Sequence, residues 1–95
     1  MNKVKLRYAI LKEIYNGNTT LTEADLCVGR EEFDEAVNFL SREGYLTGII
    51  WADDRPHLPK IGLVLTEKGE KYLEENSVLA KTYKGLKEIR EWIKF

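Results

Sequence analysis

The chain has 95 residues, a single cysteine, about a third of its residues charged and a net charge of −1. That length predicts one domain over residues 1–95 that can bury one core without staples, and the lone Cys27 excludes an internal disulfide. No apolar run is long enough to span a bilayer and no signal-peptide pattern appears, so the expected setting is a reducing cytoplasm without a membrane partner. The charge is laid out unevenly: residues 1–21 and 77–95 carry +3 each, and the stretch between them carries −7.

Asn2 to Asn16 predicts a first helix, with Val4, Tyr8, Leu11 and Tyr15 on one apolar face, Ile10 and Ile14 widening it, and Lys5, Arg7, Lys12 and Glu13 in water. Asn16-Gly17-Asn18 stops it, because Gly and Asn tolerate the left-handed conformation at a helix end. Thr22 predicts an N-cap with Asp25 as a capping-box variant, and Leu21 and Leu26 have the spacing of a hydrophobic staple around a short helix, Glu23 to Leu26. Cys27, between Leu26 and Val28, is expected in an apolar patch as an inert thiol. Gly29 then opens a third helix with Glu32 in its first turn, and Phe33, Ala36, Val37 and Leu40 recur at helical spacing until Gly44 ends it.

Tyr45 to Trp51 is rich in aromatic and β-branched residues and predicts a strand. Trp51 to Leu58 has no apolar periodicity and predicts the tip of a hairpin. Leu58 to Leu65 predicts the returning strand, with Pro59 at its start or on its edge, and Gly48 and Gly62 facing each other or marking bulges. Thr66 caps a fourth helix. A Gly inside a helix costs about 1 kcal/mol against Ala, so Gly69 predicts a second backbone passing close by. Ser77 caps a last helix, Val78 to Lys94, in which Leu79, Leu86, Ile89 and Ile93 share one stripe with Tyr83 and Trp92 beside it. That stripe is barely two heptads, so it must pack on the domain, on a partner subunit or on both.

The order helix, helix, helix, strand, strand, helix defines an α+β winged helix-turn-helix: a three-helix core, a two-stranded β wing and two further C-terminal helices. Residues 1–76 form core and wing and 77–95 the C-terminal helix. The run Leu65-Thr66-x-x-Gly69-x-x-Tyr72-Leu73 resembles the segment after the wing in small regulators of the MarR and PadR type. A closer resemblance, to the YjcQ family of small bacterial and phage proteins, lies in Lys5-Leu6-Arg7-Tyr8-Ala9-Ile10-Leu11-Lys12-Glu13-Ile14, Ala36-Val37-Asn38-Phe39-Leu40, Arg42-Glu43-Gly44-Tyr45, Asp53-Asp54-Arg55-Pro56-His57-Leu58 and Leu65-Thr66-Glu67-Lys68-Gly69-Glu70. It implies a winged-helix fold and a bacterial or prophage source, and it brings no catalytic or ligand residues with it.

Two functions compete on the sequence. In a DNA-binding regulator the third helix would enter a groove of double-stranded DNA, with Arg30, Asn38 and Arg42 on the helix and Arg55, His57 and Lys60 on the wing as the contacting residues. Against that, the first turns of this helix offer Glu31, Glu32, Asp34 and Glu35, and carboxylates facing phosphate are repelled. In a protein–protein adaptor the same acidic helix would meet a basic partner and DNA would play no part. Arg55 has a plainer alternative as well, a pair with Asp53 or Asp54. Asp53, Asp54 and His57 read as a polar turn rather than a metal site. No catalytic constellation, phosphate loop or cofactor motif is present, so an enzyme is not expected. Leu79, Tyr83, Leu86, Ile89, Trp92 and Ile93 form either a dimer interface or a packing helix, and the domain is expected to be a monomer or a weak homodimer.

Overall fold

Almost every position in the middle of the first helix is buried, and the remaining elements are arranged around it. The computed structural model describes residues 2–94. Helix α1 (Lys3–Tyr15) starts where the Asn2 side chain accepts from the Lys5 amide at 3.1 Å. It buries Leu6, Tyr8, Ala9, Ile10, Leu11, Glu13 and Ile14. The expected single stripe is therefore wrong in detail. Val4 and Tyr15 at its two ends are exposed, and the middle of α1 is enclosed on most sides. A central helix in a small domain has few faces left for water.

Helices α2 (Glu23–Leu26) and α3 (Arg30–Arg42) follow. The Asp25 carboxylate accepts from the Thr22 amide at 2.9 Å, and the Glu32 carboxylate accepts from the Gly29 amide at 2.9 Å, so each helix start satisfies a free backbone donor. Phe33, Ala36, Val37 and Leu40 are the buried face of α3, as their spacing predicts. Cys27 lies outside the apolar patch expected of it. It is exposed, in the left-handed conformation that ends α2.

The wing is two offset ribbons rather than one hairpin. Strands β1 (Leu46–Thr47) and β4 (Val64–Leu65) pair antiparallel, and so do β2 (Ile50–Ala52) and β3 (Arg55–His57). Gly48, at φ +92°, breaks the first strand in two, and its Cα approaches Gly62 so closely that a Cβ would stand 2.0 Å from the Gly62 carbonyl oxygen. Asp53 and Asp54 both have positive φ, the mark of a two-residue type I′ turn, so β3 begins at Arg55. The hairpin tip is thus two residues long, and residues 58–63 form an irregular return instead of a strand. Pro56 is tolerated in β3 because it faces Trp51 one pair beyond the turn, where the alternating ladder does not ask for its amide.

Helix α4 (Glu67–Glu75) is capped by the Thr66 hydroxyl, which accepts from the Gly69 amide at 3.0 Å. The passing backbone expected at Gly69 is that of Tyr45: a Cβ there would lie 2.3 Å from the Tyr45 carbonyl oxygen.

The predicted last helix does not run through. It is α5 (Ser77–Thr82), a reversal at Gly85 with φ +99°, a single 3-10 turn (Leu86–Glu88) and α6 (Ile89–Ile93). The reversal folds the segment back on α1. Ile89 and Ile93 are buried, Leu79 and Leu86 are partly buried, and the Tyr83 and Trp92 rings sit 6.1 Å and 6.2 Å from Tyr8. Within one chain the segment packs on α1, as two short helices in place of one.

Glu13, expected in water, is the one charged residue that is buried among the described residues. Its carboxylate accepts from Asn18 Nδ2 at 2.6 Å and from the Tyr83 hydroxyl at 2.5 Å, tying the end of α1, the following loop and the C-terminal segment together. Burial first, and then the bond to Glu13, push the Tyr83 phenol far above its ordinary value of 10.0. The folded chain thus holds this proton after the unfolded chain has released it, so the stability is present below about pH 10 and falls as pH rises beyond it, by up to about 1.4 kcal/mol per pH unit for one phenol. Denaturant unfolding at pH 8 and pH 11 should show this fall, and Tyr83→Phe should flatten it. An equal fall in the variant would place the effect elsewhere, on Tyr8 or Tyr72, which burial raises as well.

Candidate interaction surface

The wing meets the helices through the buried Leu46 and Leu58 and through one arginine. Arg55, the first residue of β3, points inward and its side chain is 15% exposed. Its Nη1 donates to Glu23 Oε1 at 3.3 Å, and its Nη2 donates to Glu23 Oε2 at 3.1 Å and to Asp34 Oδ1 at 2.8 Å. One guanidinium thereby joins β3 to α2 and α3, with the two-pronged geometry that suits Arg to carboxylates. Its hydrogen bonds hold the Glu23 carboxyl below its usual range. Arg55 therefore differs from both sequence expectations. It is not at the hairpin tip, and its carboxylates are not Asp53 and Asp54. The type I′ turn places Arg55 inside the strand, and the strand aims it at the helices.

The other residues singled out for DNA do not form a continuous basic surface with it. Asn38 is partly buried, and its Oδ1 is enclosed without a hydrogen-bond partner among the described residues. Arg30 and Arg42 are exposed at opposite ends of α3, and the Arg42 guanidinium lies 5.8 Å from the Phe39 ring centre. His57 is exposed with Nε2 3.1 Å from the Ala52 carbonyl oxygen, and Lys60 is exposed on the irregular return. Asp53, Asp54 and His57 do not gather, and among the described residues no three His, Cys, Asp or Glu side chains are grouped to hold a metal ion.

What the surface does present is acid and apolar side chains. Glu31, Glu32 and Glu35 are exposed on the first turns of α3, with Glu35 3.1 Å from Lys3, and Asp53 and Asp54 are exposed at the wing tip. Ile50, Trp51, Ile61 and Val64 stand out on the wing, with Trp51 59% and Ile61 85% exposed. Between the start of α2 and β3 lies an open cleft of about 480 Å³, with Leu21, Phe33, Pro56 and Leu58 among its apolar walls and Glu23, Arg55 and His57 among its polar ones. Sequence reasoning missed Glu23 and Asp34 as the partners of Arg55. The available signal was Asp53-Asp54 itself, since a two-residue turn of two left-handed residues fixes which residue begins the next strand.

Three helices around a central α1, an antiparallel hairpin packed against the second and third, and a closing helical segment make this a winged-helix-like α+β domain. The chain belongs to the YjcQ family: the family model described as YjcQ protein matches residues 5–92. It is 63% identical over 94 residues to Uncharacterized protein YjcQ of Bacillus subtilis (strain 168), covering 99% of this chain and all of that one. The solution NMR structure of the YjcQ protein from Bacillus subtilis superposes with a TM-score of 0.72 at 59% identity, over 84% of this chain and 97% of that chain. Among the described residues no helix is long and apolar enough to cross a membrane.

Proposed function

We propose that this protein is a protein-interaction adaptor of the bacterial cytoplasm, with no catalytic role, whose acidic α3 and apolar wing take a basic, amphipathic segment of a partner. The observation that carries this reading is the position of Arg55. The wing cation expected to reach phosphate is bound to Glu23 and Asp34, whereas Glu31 on α3, Asp53 and Asp54 at the wing tip, and Ile50 and Trp51 on the wing are exposed. Carboxylates repel a phosphate backbone and attract Lys and Arg, and exposed aromatic and aliphatic side chains supply contact area. The competing reading is a DNA-binding regulator, favoured by the winged-helix-like frame and by the exposed Arg30, Arg42 and Lys60.

The test is a pair of fluorescence anisotropy titrations, one with a random-sequence DNA duplex and one with a basic amphipathic model peptide, on the native chain and two variants. The peptide should bind, and Trp51→Ala with Glu31→Gln should weaken it. Arg30→Ala with Lys60→Ala should leave duplex affinity where it was. Duplex binding that is lost in the Arg30→Ala, Lys60→Ala variant and drops steeply from about 50 to about 200 mM salt would overturn the proposal in favour of the regulator.

A further inference from the structure

A second surface, built by the end of α3 and by α4, carries rings and cations, with Arg7 sharing a small pocket with Glu32 and Glu35 at its edge. Phe39, Tyr45 and Tyr72 form a ladder of partly exposed rings, with centres 6.3 Å apart in the first step and 4.8 Å in the second, the latter tilted by 33°. Arg7 lies over the Phe39 ring at 3.6 Å, and Lys68 lies over Tyr45 at 5.4 Å. Lys68, Lys71, Tyr45 and Tyr72 line an open pocket of about 230 Å³, which Glu75 and Asn76 share. Arg7, Arg42, Lys68 and Lys71 have no carboxylate within ion-pairing distance among the described residues, in contrast to Arg55 and Lys3. Gly69 explains why the rings meet. With no side chain of its own, it seats α4 on the Tyr45 backbone, and Tyr72, one turn along, lands against the Tyr45 ring. On α3, Phe39 lies roughly 140° around the helix from Asp34, so this surface and the Arg55 clasp occupy different faces.

We infer that this seam of rings and unpaired cations binds single-stranded nucleic acid, with the phosphates on Arg7, Arg42, Lys68 and Lys71 and unpaired bases stacked on Tyr45 and Tyr72. Cations alone would suit any polyanion. Rings interleaved with them suit a strand that offers both phosphate and a flat π face, as bases do when they are not paired in a duplex. An acidic peptide would use the cations and leave the rings idle.

The experiment is anisotropy of a labelled oligothymidine of about 12 nucleotides, set beside an abasic strand of the same length and charge and with polyglutamate as competitor. Four phosphate contacts on a single strand predict a salt slope near −2.8, which is about a 50-fold loss of affinity between about 50 and about 200 mM salt. Lys68→Ala with Lys71→Ala, two exposed helix positions where Ala favours folding, should roughly halve that slope. The abasic strand should bind about tenfold more weakly or worse, because the stacked bases are gone. Arg30→Ala with Lys60→Ala should change nothing, which separates this surface from the regulator reading of α3 and the wing. Equal binding of the abasic strand, displacement by polyglutamate at matched charge, an unchanged slope in the lysine variant, or no binding at the lower salt would each overturn the inference.

Discussion

Ile89→Ala should destabilise the domain by roughly 2–5 kcal/mol, as much as Leu40→Ala on α3. Both side chains are fully enclosed, and deleting their outer carbons removes apolar burial and leaves a cavity that the surroundings only partly refill. The comparison matters because the two residues have different standing in a winged-helix-like domain. Leu40 belongs to the three-helix core. Ile89 belongs to the segment that sequence periodicity left free to meet either this core or a partner subunit. Packing on the core predicts that the loss appears in the denaturant midpoint and does not depend on protein concentration. A near-neutral Ile89→Ala, or a loss that shrinks as concentration rises, would mean that the segment finds its contacts in a second copy.

Gly48→Ala should cost about 2–5 kcal/mol, and Gly62→Ala only about 1–2 kcal/mol. Both glycines have φ near +90°, where an L side chain is strained. The surroundings then separate them. A Cβ on Gly62 meets nothing within 4 Å, whereas one on Gly48 would stand 2.0 Å from the Gly62 carbonyl oxygen and 3.1 Å from the Leu63 Cα. Backbone cannot swing aside as a flexible side chain can, so the two ribbons of the wing would have to separate, and overpacking of that kind adds a cost of its own. Thermal unfolding of the two variants side by side checks this. Equal losses would show that strain alone decides, and that the crossing is looser than its geometry implies.

The parts of the fold that could be read from the sequence are those decided by neighbours along the chain. Asn2, Thr22, Gly29 and Thr66 mark helix starts because each start has donors to satisfy within a few residues, and the apolar spacing of α3 identifies its buried face. Even the close approach at Gly69 could be anticipated, since a glycine in mid-helix is costly without a reason. The misreadings concern partners far away in the chain. Glu13 looks like a surface residue until Tyr83, 70 positions later, donates to it. Arg55 looks like a phosphate anchor until Glu23 and Asp34, 32 and 21 positions earlier, close around it. The stripe Leu79, Leu86, Ile89, Ile93 fits one long helix as well as two short ones. What breaks it is Gly85 together with the need to cover Tyr8, and the latter lies at the other end of the chain. The candidate site was legible in composition, as an acidic helix beside a wing, but its decisive contact was not.

The amide of Asn2 donates to the carbonyl of Ile93 at 3.0 Å, and the Lys5 ammonium donates to the Trp92 carbonyl at the same distance. The first helix, central to the core, is thus finished by a residue 87 positions further along the chain. A ribosome making this protein must hold α1 with its Tyr8 side uncovered until residues 89–93 have emerged. Closure of the domain therefore waits on that segment, and a nascent chain should remain protease-sensitive until it is free to fold back, while the released chain does not.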